Sequence, residues 1–293
     1  MELNQLRYLC AIADTGSFTR AAEHCHVAQP SLSQQISRLE DELGTRLFDR
    51  LGRSVRLTDA GRAFLPHARA VLHQTELARS EVDIRRRDAR GTVTVGVIPT
   101  IAPYFMPKRI AAFTRRYPEA MLRIVEETTP VLVESLRALA IDCAVLSLPL
   151  RHRDFEITPL LTERLCAALP PGHPRAAAAS LALRELRDDR FVLLRDSHCF
   201  RGITLDACVR ARLDPRIAFE SGQFSSLLGM VAAGVGVTLV PEMAVDRAAG
   251  CRYVPVSDPQ ASRTVALAQL RGRSFSRVQQ AFVEQLTSRG RRI

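Results

Sequence analysis

From Leu6 to Leu57 the apolar residues recur at spacings that leave little choice of fold. Leu6, Leu9 and Ala13 share one helical face, the i, i+3, i+7 pattern of a packed helix. Gly16 breaks it. Ser17 is placed to cap a second helix, in which Phe18, Ala21, Ala22 and Cys25 form the apolar stripe. His26 to Gln29 read as a short turn. Pro30 suits the first turn of a third helix, where its missing N–H is no loss. There Leu32, Ile36, Leu39 and Leu43 fall on one side. The other side carries Ser31, Ser33, Gln34, Gln35 and Arg38, with Gln29 and Pro30 at its start. A small, polar face rich in hydrogen-bonding groups can lie in a major groove and read base edges, while Arg and Ser hold phosphates. Two helices, a tight turn and a polar-faced helix make a helix-turn-helix. LFDRLGRSVRLT then reads as a hairpin wing turning at Gly52, from which Arg50, Arg53 and Arg56 can reach phosphates or the minor groove. Residues 1–58 are therefore expected to be a winged helix-turn-helix that contacts double-stranded DNA.

Residues 59–90 are expected to form one long linker helix. Thr58 can cap it, and Asp59 sits at its positive end. Pro66 lies inside the pattern. Phe64, Ala68, Val71, Thr75, Ala78 and Val82 form a heptad seam suited to pairing with a second helix. The run RRRDAR at 85–90 ends it.

Beyond Gly91, strands alternate with helices. TVTVGVI, MLRIVEE and CAVLSLPL read as strands, and helical spacing resumes from about Pro103 and in VLVESLRAL. This predicts an α/β domain with a largely parallel sheet. TVALAQL and SRVQQAFVEQL supply a late strand and a final helix. Thr100 and Thr129 fall where strands end and helices begin, the end at which such sheets bind ligands. Either threonine reads equally well as a helix cap. GVGVT lacks the third glycine of a dinucleotide loop, and no Walker A, G-x-S-x-G or H-E-x-x-H motif occurs.

RDSHCFRGITLDAC, at 195–208, places two cysteines nine residues apart. Within one helix they would stand about 13.5 Å apart along the axis and on opposite faces. A disulfide needs the Cα atoms within about 7 Å, so the helix would have to unwind. Gly202, Ile203 and Thr204 are weak helix formers. His198, Arg195 and Arg201 are candidate cations beside Cys199. The alternative is two ordinary buried cysteines. The seven cysteines are scattered and include no C-x-x-C. A zinc site on His198, Cys199 and Cys208 would lack a fourth ligand, so no metal or cofactor is expected. The net charge of +10 suits a polyanionic partner, yet residues 1–90 carry only +2 of it, with 14 arginines against 12 acidic residues. The start MELNQLRYLC lacks a secretory layout and no apolar run reaches membrane-spanning length, so a cytoplasmic, membrane-free chain is expected.

AIADTGSFTRAAEHCHVAQPSLSQQISRLEDELGTRLFDR, followed by LTDAG, closely resembles the N-terminal domain of LysR-type transcriptional regulators. The resemblance implies a two-part α+β chain. A winged helix-turn-helix and a linker helix that joins two chains would precede a periplasmic-binding-protein-like effector domain at 91–293. That domain would have two α/β subdomains, 91–162 with 266–293, and 163–265. IPTIAPYFMP, LSLPL, LRDSHCFRGITLDAC and MVAAGVGVTLVP further resemble the OxyR-like, hydrogen-peroxide-sensing branch of that family. By position this implies Cys199 as the peroxide-reactive cysteine and Cys208 as its resolver, with Thr100, Thr129, His198 and Arg263 positioning peroxide and Asp206 assisting proton transfer. At 218 this chain has Ala where the family often has histidine, so no role carries over there. The resemblance also implies a homodimer or homotetramer on promoter DNA that activates oxidative-stress genes with RNA polymerase, is reset by a thiol reductant, and is not an enzyme. Two rivals stay open: a LysR-type regulator taking a small organic effector in the same cleft, and a thiol peroxidase with turnover.

Overall fold

The computed structural model describes residues 1–51, 54–82, 90–150, 152–196, 198–246 and 250–288, with backbone only at 50, 51, 54 and 79–82. The chain divides into two compact units. One is built on Met1–Arg87 with the short segments Arg137–Ala140 and Ser274–Arg277, and the other on the remainder.

The first unit packs α1 (Leu3–Thr15), α2 (Phe18–His24) and α3 (Gln29–Leu43) around Leu6, Leu9, Ile12, Leu32, Ile36 and Leu39, all essentially buried. Gly16 ends α1 at φ 65°, a left-handed value that glycine adopts without strain. Ser17 caps α2 by accepting the Arg20 amide. Gln29 is already helical, so the turn is one residue shorter than expected. Cys25 lies past the end of α2 and is half-buried, and Leu43 at the end of α3 is exposed; the apolar stripes are each one residue shorter than the spacing implied. The strands β1 (Phe48–Leu51) and β2 (Ser54–Leu57) pair antiparallel, Phe48 opposite Leu57. Glu40 on α3 accepts the Leu47 and Phe48 amides and so fixes the entry to this wing.

The helix α4 spans Asp59–Val82, and the expected stretch from 83 to 89 lies outside the described residues. Thr58 caps it through the Gly61 amide. Leu65 and Ala68 join the core of this unit, whereas Val71 and Ala78 of the heptad seam are exposed in the single chain.

The second unit has two apolar cores. The first surrounds β3 (Gly91–Val97), β4 (Ala120–Glu126) and β5 (Cys143–Ser147), with α5 (Ala102–Arg116) and α6 (Thr129–Arg137) packed on them. The long strand β6 (Phe155–Leu169) then leaves this core for the second one. That core takes residues from β7 (Arg190–Leu194), α7 (Cys199–Arg210), α8 (Phe224–Ala232), β9 (Thr238–Pro241) and β10 (Arg252–Pro255), while β8 (Arg216–Ser221) pairs with β7 and is largely exposed. The strand β11 (Ser262–Leu270) returns to the first core, where α9 (Arg277–Thr287) packs. The expectation of a largely parallel sheet is corrected here. Among the paired strands of the described residues only β3–β4, β3–β5 and β7–β8 are parallel, while β11 runs antiparallel to both β5 and β6. An outgoing and a returning strand laid side by side must be antiparallel, and their length makes them dominate the ladder.

Gly61 offers a test of the packing where α4 meets the wing. A Cβ there would stand 2.1 Å from the Leu47 carbonyl oxygen. That oxygen is held by the Thr58 amide at 3.0 Å and has no room to retreat. Gly61→Ala is expected to cost about 1–3 kcal/mol through overpacking, read as a lowered midpoint in thermal unfolding of the N-terminal unit. An unchanged midpoint would show that the wing can shift.

Candidate functional site

Three chain segments converge on a small cavity in the second unit. The turn after β3 contributes Ile98, Pro99 and Thr100, the start of α6 contributes Thr128 and Thr129, and the start of α7 contributes His198, Cys199 and Phe200. The cavity is about 10 Å³, room for one molecule on the scale of water.

Cys199 is the first residue of α7, with His198 at the cap position. Burial pushes its thiol up from the ordinary value. Opposing this, the Thr129 hydroxyl, the Arg263 charge and the amides at the helix N-terminus favour the thiolate. The resting thiol is therefore mainly protonated, inside a setting that supports its anion. Thr129 Oγ1 is buried and has no hydrogen-bond partner among the described residues, so this hydroxyl is free to bond the Cys199 thiolate or whatever fills the cavity.

The cation is Arg263, on β11. Its side chain is fully buried, with Nε 2.7 Å from Glu163 Oε1. Nη1 donates to Thr100 Oγ1 at 2.9 Å and Nη2 to the Thr100 carbonyl at 3.0 Å. Glu163 Oε2 accepts the Met243 amide at 2.8 Å. Arg263 and Glu163 are direct cross-strand partners in the β11–β6 ladder. The Arg263 guanidinium also stands 5.4 Å from the Phe200 ring. Thr100 thus orients a guanidinium, and Ile101, not Thr100, occupies the cap position of α5.

Cys208 lies on the same helix as Cys199 but in the other core, fully buried. Burial, then the nearby Asp258 carboxylate, pushes its thiol up to about 11. The seven cysteines are all free. Both thiols do sit in one helix, so they stand about 13.5 Å apart along its axis and cannot join while it is intact.

Three sequence expectations need correction here. Arg201 does not serve Cys199: it is engaged by Asp196 and Glu220, each at 2.6 Å. Two residues along a helix is roughly 200° of rotation, which turns the side chain away. Arg195 is exposed and does not line the cavity. Asp206 is exposed on α7, two turns or about 10.5 Å beyond Cys199, and is not in the cavity lining. The sequence reading missed Glu163 and Phe200. Phe200 directly follows Cys199, but Glu163 could be found only by registering β6 against β11.

In the first unit the outer face of α3 presents Gln29, Pro30, Ser31, Gln34 and Arg38 as exposed residues, with Ser33 half-buried. Gln35 is instead tied to Gln5 at 3.3 Å. Of the wing arginines, Arg53 and the Arg50 side chain lie outside the described residues. Among the described residues no group of side chains could hold a metal ion, and no helix is long and apolar enough to cross a membrane.

Thr129→Val removes the hydroxyl that favours the Cys199 thiolate. A hydrogen bond of roughly 1 kcal/mol corresponds to about a fivefold change. Alkylation of Cys199 near pH 7 is therefore expected to slow severalfold. Because the thiol is pushed up, the wild-type rate should keep climbing as pH rises through the ordinary thiol range. A rate independent of pH, or unmoved by the substitution, would refute this assignment.

Residues 3–62 match the family described as bacterial regulatory helix-turn-helix protein, lysR family, and residues 86–291 match the LysR substrate binding domain. A hydrogen peroxide-inducible genes activator from Pectobacterium carotovorum subsp. carotovorum is 35% identical over 281 residues, covering 93% of each chain. The transcriptional dual regulator GltC of Bacillus subtilis is 34% identical over 280 residues, covering 94% of this chain and 93% of its own. Overall identity therefore does not select a signal. A full-length OxyR cysteine variant from Pseudomonas aeruginosa has a similar structure, with TM-score 0.83 and 34% identity over 98% of this chain and 93% of that one. The chain belongs to the lysR family of bacterial regulatory helix-turn-helix proteins.

Proposed function

We propose that this chain is a DNA-binding transcription regulator that senses hydrogen peroxide through a reversible Cys199–Cys208 disulfide and activates oxidative-stress genes. One observation carries the reading. Cys199 lines a water-sized cavity with Thr100, Thr129 and His198, near the buried charge of Arg263, while a second thiol waits on the same helix. The relatives named as peroxide-inducible activators and the OxyR structure support it.

In the first step the Cys199 thiolate attacks one peroxide oxygen. The O–O bond breaks, sulfur takes a hydroxyl to become a sulfenic acid, and the second oxygen leaves as hydroxide, which is protonated to water. Arg263 and the Thr129 hydroxyl sit where that leaving charge develops, and Thr100 and His198 hold the peroxide in place. Asp206 has no part in this step. In the second step the Cys208 thiol attacks the sulfenic sulfur, releasing a second water and leaving the disulfide. A cellular thiol reductant restores both thiols. One oxidation per switching event is signalling, so the chain is not an enzyme in this reading.

The disulfide needs α7 to unwind, and the helix carries its own weak point. Gly202 closes the first turn of α7, and a Cβ there would meet nothing within 4 Å. Packing does not demand glycine at this place. Oxidation then alters how the sensing units of a dimer or tetramer pair. The exposed α4 seam residues Val71 and Ala78 fit joining two chains, so that two α3 faces address one promoter in the cytoplasm, with RNA polymerase as the downstream partner.

Cys199→Ser is expected to abolish peroxide-induced transcription from target promoters while DNA binding persists. Full induction by this variant would sink the mechanism, and induction by a small organic metabolite alone would favour an effector-binding regulator. Gly202→Ala should stabilise α7 by about 1 kcal/mol and slow disulfide formation up to about fivefold. Peptide mapping of blocked thiols after a peroxide pulse reads this directly, and an unchanged rate would mean that unwinding does not limit the switch.

A further inference from the structure

The second core carries a larger open cavity, away from Cys199, of about 970 Å³. Five arginines line it: Arg175, Arg184, Arg187, Arg210 and Arg212. Three carboxylates share the lining, and each has work of its own. Glu185 pairs with Arg175 at 2.6 Å, Asp188 with Arg187 at 3.4 Å, and Asp258 accepts the Leu183 amide at 2.7 Å. Arg184, Arg210 and Arg212 have no ion-pair partner among the described residues, yet they face one concavity. Like charges gathered on a concave wall focus their field and concentrate anions there. Guanidinium groups present paired donors that match phosphate oxygens.

The rest of the lining narrows the ligand. Its apolar members are only Ala182, Ala211 and Pro259, and no aromatic side chain is present. Nothing there would stack on a nucleobase. The recognised group must be the anion itself, and unpaired arginines on two separate elements around a cavity of about 970 Å³ suit several linked phosphates better than one.

Two of the three unpaired arginines hang from the end of α7. Arg210 is its last residue, and Arg212 follows at φ 56°. The Ala211 amide bonds the Ala207 carbonyl at 3.1 Å, and the Leu213 amide bonds the Cys208 carbonyl at 2.9 Å. Arg184 belongs to a separate 3-10 turn, Leu183–Leu186. An anion bridging Arg184 to Arg210 and Arg212 would therefore clamp the turn that carries Cys208.

We propose that this cavity binds a free oligophosphate anion and that the bound anion holds the C-terminal turn of α7 closed. This is a property of the fold with its thiols free, and it stands whether or not the two cysteines ever pair.

The test is calorimetric titration of tripolyphosphate into the reduced full chain at low ionic strength. Saturable binding is expected, weakening as salt rises. The double variant Arg184→Ala with Arg212→Asn should bind at least tenfold more weakly; asparagine is chosen because it tolerates the left-handed backbone. Hydrogen exchange on the wild-type chain supplies a readout that needs no variant: the Ala211 and Leu213 amides should exchange more slowly with the anion bound. Absence of saturable binding, equal binding by the double variant, or unchanged exchange at those amides would each overturn the proposal. Tight binding of a single-stranded oligonucleotide without binding of tripolyphosphate would also overturn it, in favour of a nucleic-acid backbone.

Discussion

A single buried ion pair sets the geometry on which the sensing unit depends. Arg263 has no exposed side-chain surface, and an unpaired guanidinium in such a place would be untenable. Glu163 lies directly across the ladder on β6, and the Thr100 hydroxyl and carbonyl each accept one donor from the two terminal nitrogens. Removing one partner of such a pair typically costs about 3–5 kcal/mol, because the other charge is left buried alone. The pair therefore locks the two crossing strands to each other and to the turn after β3. The Met243 amide on Glu163 extends the lock into the segment after β9. An apolar pair of equal volume could hold strands together as well or better. What it could not supply is a fixed positive field at Cys199.

Around that field α7 joins two places that want different things. Its first residue packs with the first core and its tenth is sealed in the second. While the helix is intact, the thiols are kept apart by geometry and each is kept protonated by burial. Joining them requires losing the helix hydrogen bonds and drawing Cys208 out of the core with its neighbours Ala207 and Phe200. A closed loop of roughly this size stabilises by a few kcal/mol at most, the same order as the contacts surrendered. Two states of comparable free energy are what a reversible switch needs. In the proposed switch a stronger helix former in place of Gly202 would shift that balance toward the reduced form by about 1 kcal/mol.

How much of this was legible in the sequence follows from how local each feature is. The helix-turn-helix is written in residues at most a few turns apart, so the apolar spacing and the Ser17 cap located it to within a residue. Its errors, Leu43 and Cys25, fall at helix ends, where the core no longer covers the stripe. The Cys199 and Cys208 geometry was also local, since spacing within one helix fixes both distance and face. The cation was not. Arg201 is close in sequence but is turned away and held by Asp196 and Glu220, whereas Arg263 comes from 64 residues downstream. Its partner Glu163 is a further 100 residues back, visible only once β6 and β11 are known to lie side by side. The same crossing strands spoiled the expectation of a parallel sheet. The resemblance to a known family supplied Arg263 and Thr129 by position, and also gave Asp206 a part in proton transfer, although Asp206 lies exposed about 10.5 Å along the intact helix from Cys199.

The raised thiol at Cys199 looks at first like poor design for a sensor, since only the thiolate attacks peroxide. The surroundings resolve the difficulty. Burial penalises the thiolate at rest, but the groups that oppose burial, Arg263, Thr129 and the helix amides, are already fixed in position and need no reorganisation. In the proposed mechanism they would act on whichever negative charge is present, on sulfur before the attack and on the leaving oxygen after it. The cavity admits a molecule near the size of water, so a bulky oxidant cannot bring its oxygen to the sulfur without moving Phe200 or the turn at Thr100, and that turn is pinned by Arg263. In the proposed mechanism a protonated thiol beside so small a cavity would be shielded from indiscriminate chemistry, and Arg263, whose charge would favour attack on a small peroxide, also pins the turn that borders the cavity.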